Sequence, residues 1–269
     1  MNQIKTKKIW ERVPGLRILV RLIIEIYKPA PLDEFANYTE YWCMRDEYGR
    51  TNQILNRFVV IEKLIKNGDK VLDIGCGDGS FMAYLKNRKE DIDALGIDIS
   101  PEAVKLAKAK GLKAELISQN DNLKDKIPTG WDVITLMEII EHHVDAEVLI
   151  RQVIDLEPKK IFITIPNVGC LKHRLRLMLG GRFPVTSIHF HMKEHVRFWT
   201  PKDFREWCQI LGLNVVNIYG QVDRGDTLVK LFTKKLPALF ADRVIYELTM
   251  CIDNDKKTKK SSIYDVNYK

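Results

Sequence analysis

One short stretch, EIIEHH, gathers four side chains that can take part in acid–base or metal chemistry. It follows WDVITLM (131–137), an apolar run typical of a buried strand. If a helical turn begins at Glu138, then Glu141 and His142 lie three and four positions further on and share its face, and His143 is expected to point away. Two carboxylates and an imidazole on one face suit a divalent cation.

Each of these residues also has an ordinary interpretation. Glu138 and Glu141 could accept amide hydrogen bonds at a helix start, where the helix dipole favours a negative charge. His142 could be a neutral histidine satisfied within the fold, or a general base that removes a proton from a hydroxyl without any metal. The sequence alone leaves these alternatives open.

A second stretch, VLDIGCGDGSF (71–81), has the composition of a ligand-binding loop. An apolar strand delivers Asp73 at its carboxyl end, and the glycines after it allow a ligand to lie against bare backbone at a helix start. Ser80 stands where a dinucleotide fingerprint has its third glycine, and Asp73 would repel a pyrophosphate. The loop therefore favours a cationic or zwitterionic ligand. Asp98 follows at the end of the next apolar run, where a carboxylate can bind both hydroxyls of a ribose.

Alternating β-branched and helical runs from about residue 51 predict the scaffold that positions these residues. In PEAVKLAKAK, for example, Ser100 can cap a helix whose first position is Pro101. Only QVDRGDT separates the last two predicted strands, which favours an antiparallel hairpin. We therefore predict an α/β fold with a doubly wound, Rossmann-like, seven-stranded and mostly parallel sheet. The predicted strands are 70–75, 94–99, 113–118, 131–137, 160–166, 214–220 and 228–234.

Asp73, the glycine loop and Asp98 together resemble the class I S-adenosylmethionine-dependent methyltransferases, and the element order from about 50 to 235 fits that family. The resemblance implies that the methionine part of the cofactor lies over the loop, that Asp98 holds the ribose, and that the adenine meets Ile99 and a polar residue at Asn120 or Asp121. The predicted cofactor-binding residues are Asp73, Gly75, Cys76, Gly77, Asp98, Ile99, Asn120 and Glu138.

The ExxEH pattern is similar to that of small-RNA 3′-terminal 2′-O-methyltransferases and ubiquinone-pathway O-methyltransferases. In the RNA family a later histidine before an aromatic-rich helix start completes a metal shell, and His195 in EHVRFWTPKDF has a similar setting. The resemblance implies a divalent cation such as Mg²⁺. MetW-like proteins share the IPNVG and GRFPVT stretches but generally lack the two carboxylates. The predicted metal ligands are Glu138, Glu141, His142 and His195, and the predicted catalytic residues are His142, His195 and Glu141.

Three regions are predicted along the chain. They are an N-terminal helical extension and cofactor cover (1–50), a methyltransferase domain (51–250) with a lid insertion (168–200), and a basic flexible tail (251–269). The block NYTEYWCMRDEYG (37–49) resembles a segment that folds over the cofactor in small-molecule methyltransferases, with contacts from Tyr41, Trp42 and Arg45, although ordinary packing of these side chains is an equal alternative.

Two further segments carry predictions about partners. LRILVRLIIEIY (16–27) is short for a membrane span, and its polar stripe favours packing on the main domain over a partner helix or a membrane surface. The basic and aromatic insertion could cover an anionic acceptor, and His189 and His191 within it are expected to meet acceptor or solvent.

Composition limits the function classes. The net charge of +7 owes much to terminal lysines, so it does not imply a basic patch on the folded body. The five cysteines are far apart and the first residues lack a cleavable signal pattern, so we expect a reducing cytoplasm and no disulfides. We expect O-methylation of a small molecule or glycan, with RNA 2′-O-methylation or a non-catalytic, cofactor-binding partner subunit as alternatives. The oligomeric state is not readable from the sequence.

Overall fold

The computed structural model describes residues 14–27, 38–47, 53–184, 195–221 and 227–251. The strands in these ranges are β1 (Lys70–Ile74), β2 (Asp93–Asp98), β3 (Lys113–Leu116), β4 (Val133–Met137), β5 (Lys160–Pro166), β6 (Leu213–Gln221) and β7 (Arg243–Met250). The helices are α1 (Pro14–Tyr27), α2 (Tyr38–Glu47), α3 (Asn56–Glu62), α4 (Ser80–Lys86), α5 (Pro101–Ala109), α6 (Leu123–Lys126), α7 (Ala146–Asp155), α8 (Leu171–Gly180), α9 (Pro201–Ile210), α10 (Thr227–Lys235) and α11 (Pro237–Phe240).

Seven strands of the described chain form one sheet in the order β3-β2-β1-β4-β5-β7-β6. Strands β1 to β5 pair in parallel, and β7 runs antiparallel to both β5 and β6. Successive side chains of β4 alternate between two buried clusters, with Val133 on one side and Ile134 on the other. Helices therefore cover both faces, which confirms the predicted doubly wound α/β fold.

The C-terminal strand pair differs from the prediction in one element. Residues 228–234, predicted as the seventh strand, belong to helix α10, and the seventh strand is β7, 15 positions further along at Arg243. The apolar residues of LVKLFTK recur at helical spacing, with Leu231 and Phe232 three and four positions after Leu228. The pair is antiparallel as expected, but two helices rather than a tight turn join its strands.

The N-terminal helix α1 forms as predicted and packs against α8, as the packing interpretation for residues 16–27 expects. The contact is close at the ends of both helices, because a Cβ built on Gly180 would lie 2.6 Å from the Ile26 carbonyl oxygen. Helix α2 contacts α5. No helix in the described ranges is long and apolar enough to cross a membrane.

Several predicted features lie outside the described residues. They are the N-terminal lysines, the Lys-rich segment within 252–269, and the centre of the lid insertion with His189 and His191. Of the insertion (168–200), the structure describes helix α8 with its flanks and the segment that starts at His195.

Candidate functional site

A cavity of about 380 Å³ opens at the carboxyl ends of β1, β2 and β4. This is the edge at which doubly wound sheets bind ligands. Most of the residues predicted to bind cofactor or do chemistry line it, while Asn120 and Glu141 are not part of its wall. The predicted residues in the wall are Asp73, Gly75, Cys76, Gly77, Asp98, Ile99, Glu138, His142 and His195.

The loop between β1 and α4 packs so closely against Ile139 and Trp42 that two of its positions have no room for a side chain. Gly75 and Gly77 both have φ in the left-handed region, at 71° and 56°. A Cβ on Gly75 would collide with Ile139, and one on Gly77 would lie 2.5 Å from the Trp42 ring. The Cys76 side chain is buried in the core, so this residue can offer a ligand only its backbone.

Asp98 holds this loop in place from the end of β2. Its Oδ2 accepts a hydrogen bond from the Gly77 amide at 2.8 Å, and its Oδ1 accepts one from the Ser100 amide at 2.8 Å. Burial raises the pKa of Asp98, and the backbone amides oppose that rise. The carboxylate is thus fixed in the cavity wall, where it can still accept further hydrogen bonds from a ribose.

Asp73 has a buried carboxyl group of which the protein satisfies only one oxygen by hydrogen bonding. It is 1% exposed, and its Oδ1 accepts a hydrogen bond from Thr135 Oγ1 at 2.6 Å. Its Oδ2 is buried without any hydrogen-bond partner. Burial raises the pKa of Asp73 to about 7. A cationic group in the cavity would compensate this buried charge, so the site fits the positively charged S-adenosylmethionine and disfavours a pyrophosphate.

Helix α2 covers the glycine loop, as the N-terminal resemblance implied. Tyr41, Trp42 and Arg45 all line the cavity. Arg45 Nη1 donates to the Tyr41 hydroxyl at 3.1 Å, and its guanidinium lies 5.4 Å from the ring centroid of Trp42. Since Trp42 also lies against Gly77, α2 closes this end of the cavity.

The far end of the cavity, next to β2 and β3, is where the family resemblance would put an adenine ring. Ile99 is 41% exposed and lines this end, as predicted. Ser118, Gln119 and Asp121 line it as well, whereas Asn120 is exposed and donates its amide N–H to Ser118 Oγ. Of the two polar candidates from the sequence, Asp121 rather than Asn120 therefore faces the cavity.

Glu138 does not begin a helical turn, so that prediction is wrong. Its φ is 59°, a left-handed conformation, and the turn that follows is a short 3₁₀ helix at Ile140–His142. Its carboxylate accepts hydrogen bonds from Arg243 Nε at 2.8 Å and from Thr164 Oγ1 at 3.0 Å. Burial raises the pKa of Glu138, but Arg243 and the other cationic neighbours outweigh it and hold the pKa below its usual value. The Glu138 carboxylate is thus bound by side chains of β7 and β5.

The other three predicted metal ligands do come together. Ligand atoms of Glu141, His142 and His195 all lie within 4.8 Å of one another. Glu141 Oε1 is 4.0 Å from Nε2 of each histidine, and the two imidazole rings meet edge to face with centroids 4.7 Å apart. Both carboxylate oxygens of Glu141 are buried without a hydrogen-bond partner.

The electrostatics of this group favour its neutral forms. Burial raises the pKa of Glu141 well above its usual value, and the nearby Glu138 raises it further. Burial, with the neighbouring His142, lowers the pKa of His195 to about 3. A cation bound among these groups would reverse both effects, because it favours the carboxylate and needs neutral imidazoles. The orphaned carboxylate and the donor types therefore fit a divalent ion.

The segment that carries His195 is pinned to the neighbouring 3₁₀ turn. The amides of Val196 and Arg197 both donate to the Glu141 carbonyl oxygen, at 2.9 and 3.2 Å. Arg197 then binds Glu147 of α7 through two hydrogen bonds of 2.7 Å. Trp207 Nε1 of α9 donates to the same Glu147 carboxylate at 2.8 Å. These contacts place His195 beside Glu141 although the two are far apart in sequence.

Three residues of the site were missed or misplaced from the sequence. Arg243 starts a strand that was predicted elsewhere, so its proximity to Glu138 could not be inferred. Arg57 of α3 lines the cavity and lowers the pKa of Asp73 and of the glutamates, but nothing in NRFVVIE marks it as functional. His143 was expected to point away, yet it lines the cavity, because the 3₁₀ turn shifts the direction of its side chain.

Comparison with known proteins agrees with this geometry. The family model for methionine biosynthesis protein MetW matches residues 56–248. A ubiquinone biosynthesis O-methyltransferase of Xylella fastidiosa (strain M23) is 27% identical over 206 residues, which cover 72% of this chain and 82% of that protein.

Solved structures show the same fold. A SAM-dependent methyltransferase from Archaeoglobus fulgidus aligns with a TM-score of 0.55 at 18% identity, covering 78% of this chain and 99% of that one. The small RNA methyltransferase HEN1 aligns with a TM-score of 0.52 at 23% identity, covering 78% of this chain and 26% of that one. Because the family model covers well over half of the sequence, the chain belongs to the MetW family of class I S-adenosylmethionine-dependent methyltransferases.

Proposed function

We propose that the protein transfers the methyl group of S-adenosylmethionine to a hydroxyl oxygen of a small-molecule or glycan acceptor. The observation that carries this proposal is the buried and unpartnered Glu141 carboxylate, 4.0 Å from Nε2 of both His142 and His195. Such a group is costly to bury unless a ligand or ion uses it. The ubiquinone-pathway relatives, which are O-methyltransferases by name, support an oxygen acceptor.

The residues around the loop would bind and orient the donor. S-adenosylmethionine supplies an electrophilic methyl group, so the protein has to align the acceptor, exclude water and remove one proton. Asp73 offers a negative charge to the cationic end of the donor, and Asp98 offers its carboxylate to the ribose. The Trp42 ring lies against Gly77 and would exclude water from that part of the cavity.

The histidines at the other end of the cavity would handle the proton. Burial lowers the pKa of His195, so its imidazole is neutral, and it would accept a proton from an acceptor hydroxyl only with a negative charge beside it to stabilise the imidazolium. An imidazolium formed at His195 or His142 would lie 4.0 Å from Glu141, and this ion pair would favour the carboxylate form of Glu141 against the protonated form that burial favours.

As the alternative to proton transfer by the histidines, we propose that Glu141, His142 and His195 bind a divalent cation, in which case the two imidazoles are ligands and do not accept the proton. Such an ion could lower the pKa of the acceptor hydroxyl and orient it. The sequence predicted four ligands and Mg²⁺, but Glu138 is held by Arg243 and Thr164 instead. Two imidazoles and one carboxylate suit a borderline ion such as Mn²⁺ or Fe²⁺ better than Mg²⁺, which prefers an all-oxygen shell.

The test is a methyl-transfer assay with labelled S-adenosylmethionine and a panel of catechols, phenols and glycans. We expect transfer to at least one hydroxyl acceptor, and a loss of at least about 100-fold in His195→Ala or Glu141→Gln. Glu206→Gln, an exposed change on α9, serves as the control and should be neutral. Unchanged methyl transfer in both variants would refute the catalytic role of His195 and Glu141.

RNA 2′-O-methylation is the second candidate, because the small RNA methyltransferase HEN1 shares this fold. The same panel therefore includes a single-stranded RNA with a free 3′-terminal ribose. RNA binding that weakens steeply with salt, together with methylation of the terminal 2′-hydroxyl, would favour this candidate. Absence of RNA binding at low salt would remove it.

A non-catalytic partner subunit is the third candidate, since the family description concerns methionine biosynthesis rather than methyl transfer. It predicts cofactor binding without turnover and co-purification of a biosynthetic acyltransferase. The unpartnered Glu141 beside two histidines speaks against it, because a subunit that only binds cofactor has no need for that buried acid. Retained biological function in Glu141→Ala would favour it.

We also propose a cytoplasmic location. All five cysteines are free thiols, and Cys76, Cys170 and Cys208 are buried in the core. Free thiols persist in a reducing compartment. Fractionation of cells that express the tagged chain tests this proposal, and recovery in an oxidising compartment would contradict it.

A further inference from the structure

The described chain carries an apolar surface outside the cavity, on α1 and on the region that follows β5. Helix α1 turns one arc outward: Leu16, Leu19, Ile23, Ile24 and Tyr27 are each between 41% and 55% exposed. These positions fall within one arc of about 140° on a helical wheel, and Ile26, at the edge of that arc, is buried against α8. Packing on the main domain therefore uses only part of the apolar surface of α1.

The exposed arc of α1 continues onto α8 and the segments that follow. Arg176 of α8 links α1 to the segment that follows α8, since its side chain donates hydrogen bonds to the carbonyl oxygens of Ile26 and Phe183. Phe183 in turn meets Phe198, with ring centroids 5.3 Å apart. The apolar side chains exposed here are Leu177, Met178, Leu179, Phe183 and Phe198, and Met178 reaches 71%. We call these five, with the arc of α1, the α1–α8 face.

The charged side chains that the structure describes as exposed on or beside the α1–α8 face are basic, and α1 itself contains one acidic residue, Glu25. Arg21, Arg174 and Arg182 are exposed on it or beside it. Helices α8, α10 and α11 contain no acidic residue at all, and α11 contacts α8 while α10 packs on α11. Helix α10 adds three exposed lysines and the exposed apolar Leu231 and Phe232. In the sequence, Lys5, Lys7 and Lys8 lie within nine residues of the start of α1.

We propose that the α1–α8 face binds the surface of an anionic phospholipid membrane. Apolar side chains flanked by arginine and lysine are the combination that lies in the headgroup region, where the aliphatic groups enter the acyl boundary and the cations meet lipid phosphates. A second copy of the chain fits less well, because a two-fold contact through this face would bring like charges together. Phe198 is three residues from His195, so the bound membrane would adjoin the acceptor end of the cavity.

The test is sedimentation of the full chain with vesicles of phosphatidylcholine alone, or of phosphatidylcholine with phosphatidylglycerol. We expect binding to the anionic vesicles that falls as salt is raised. Met178→Asp or Ile23→Asp should each weaken it about tenfold. Ile210→Asp is the matched control, because Ile210 is also 71% exposed but lies on α9, and it should bind as the wild type does.

Two results would overturn the proposal. One is no binding to anionic vesicles at low salt, or binding that neither Met178→Asp nor Ile23→Asp weakens. The other is a dimer in sedimentation velocity that the same two substitutions dissociate, which would assign the face to a second copy. Both positions are exposed and outside the cavity, so thermal unfolding and methyl transfer to a soluble acceptor should be unchanged in the two variants.

Discussion

Arg243 Nε lies 2.8 Å from Glu138 Oε2, which joins the start of β7 to the end of β4 across 105 residues of sequence. Glu138 adopts a left-handed backbone conformation that is unfavourable for a residue with a side chain. The ion pair and the Thr164 hydrogen bond hold it there. The turn that carries Glu141 and His142 starts from this residue, so the pair sets the direction of the candidate acceptor site.

A double-mutant cycle measures this pair. Arg243→Gln should leave a poorly compensated carboxylate and lower the free energy of unfolding, whereas Glu138→Gln together with Arg243→Gln should cost less than the two single changes added. Arg243 is partly exposed, so we expect a coupling of roughly 1–2 kcal/mol in denaturant unfolding. The exposed Lys105–Glu102 pair is the control and should couple by less than about 0.5 kcal/mol. If the effects of the two substitutions on the free energy of unfolding are additive, the Arg243–Glu138 pair does not stabilise the fold.

Asp73→Asn should change how stability depends on pH. Burial raises the pKa of Asp73 from 3.8 to about 7 in the folded protein. Between these values the unfolded chain loses the proton while the folded chain keeps it, so the wild type loses stability as pH rises and levels off above 7. The variant lacks this loss. The free energy of unfolding of the variant minus that of the wild type should therefore rise by roughly 3–4 kcal/mol between pH 4 and pH 8.

The control for this pH effect is Asp132→Asn. The pKa of Asp132 is lowered, because its carboxylate accepts hydrogen bonds from Lys159 and the Lys70 amide. Its contribution to stability is therefore present above the unfolded pKa and lost as pH falls, and removing it should give a pH effect of the opposite sign. Equal pH profiles for the wild type and Asp73→Asn would mean that the folded protein does not hold the Asp73 proton.

Asp98→Ala should weaken binding of S-adenosylmethionine by roughly 10–100-fold in calorimetry, because charge-assisted hydrogen bonds contribute roughly 1.5–3 kcal/mol. The variant loses the proposed ribose contact and also frees the Gly77 amide that Asp98 anchors. Asp93→Ala, at the start of the same strand in an exposed pair with Lys113, is the matched control and should bind normally. Equal affinity in the wild type and Asp98→Ala would refute the ribose assignment.

Mn²⁺ titration tests the metal group directly and needs no acceptor. We expect one site per chain in calorimetry or electron paramagnetic resonance, and a loss of at least about tenfold in affinity in Glu141→Gln and in His195→Ala. Glu138→Gln should keep most of the affinity, because its carboxylate is bound to Arg243 rather than placed among the ligand atoms. Loss of Mn²⁺ binding in Glu138→Gln alone would restore the four-ligand set predicted from the sequence.

The donor end of the site was predictable and much of the acceptor end was not, for physical reasons. Asp73 and Asp98 follow local patterns of strand, glycine turn and helix start, so short sequence windows were enough to place them. Arg243 meets Glu138 only through the pairing of β7 between β5 and β6, a long-range event that no window shows. Residues 228–234 were misassigned for a different, local reason: their β-branched and aromatic residues suggested a strand, although the spacing of the apolar residues is helical.

The insertion of β7 between β5 and β6 also bears on how the protein is made. On the ribosome, β6 emerges before β7 and has no partner strand in the sheet until residues 243–250 have been synthesised. During that interval the edges of β5 and β6 are open templates for pairing with other nascent chains. A substitution that delays β7 would thus act first on the yield of soluble protein, before any effect on turnover could be measured.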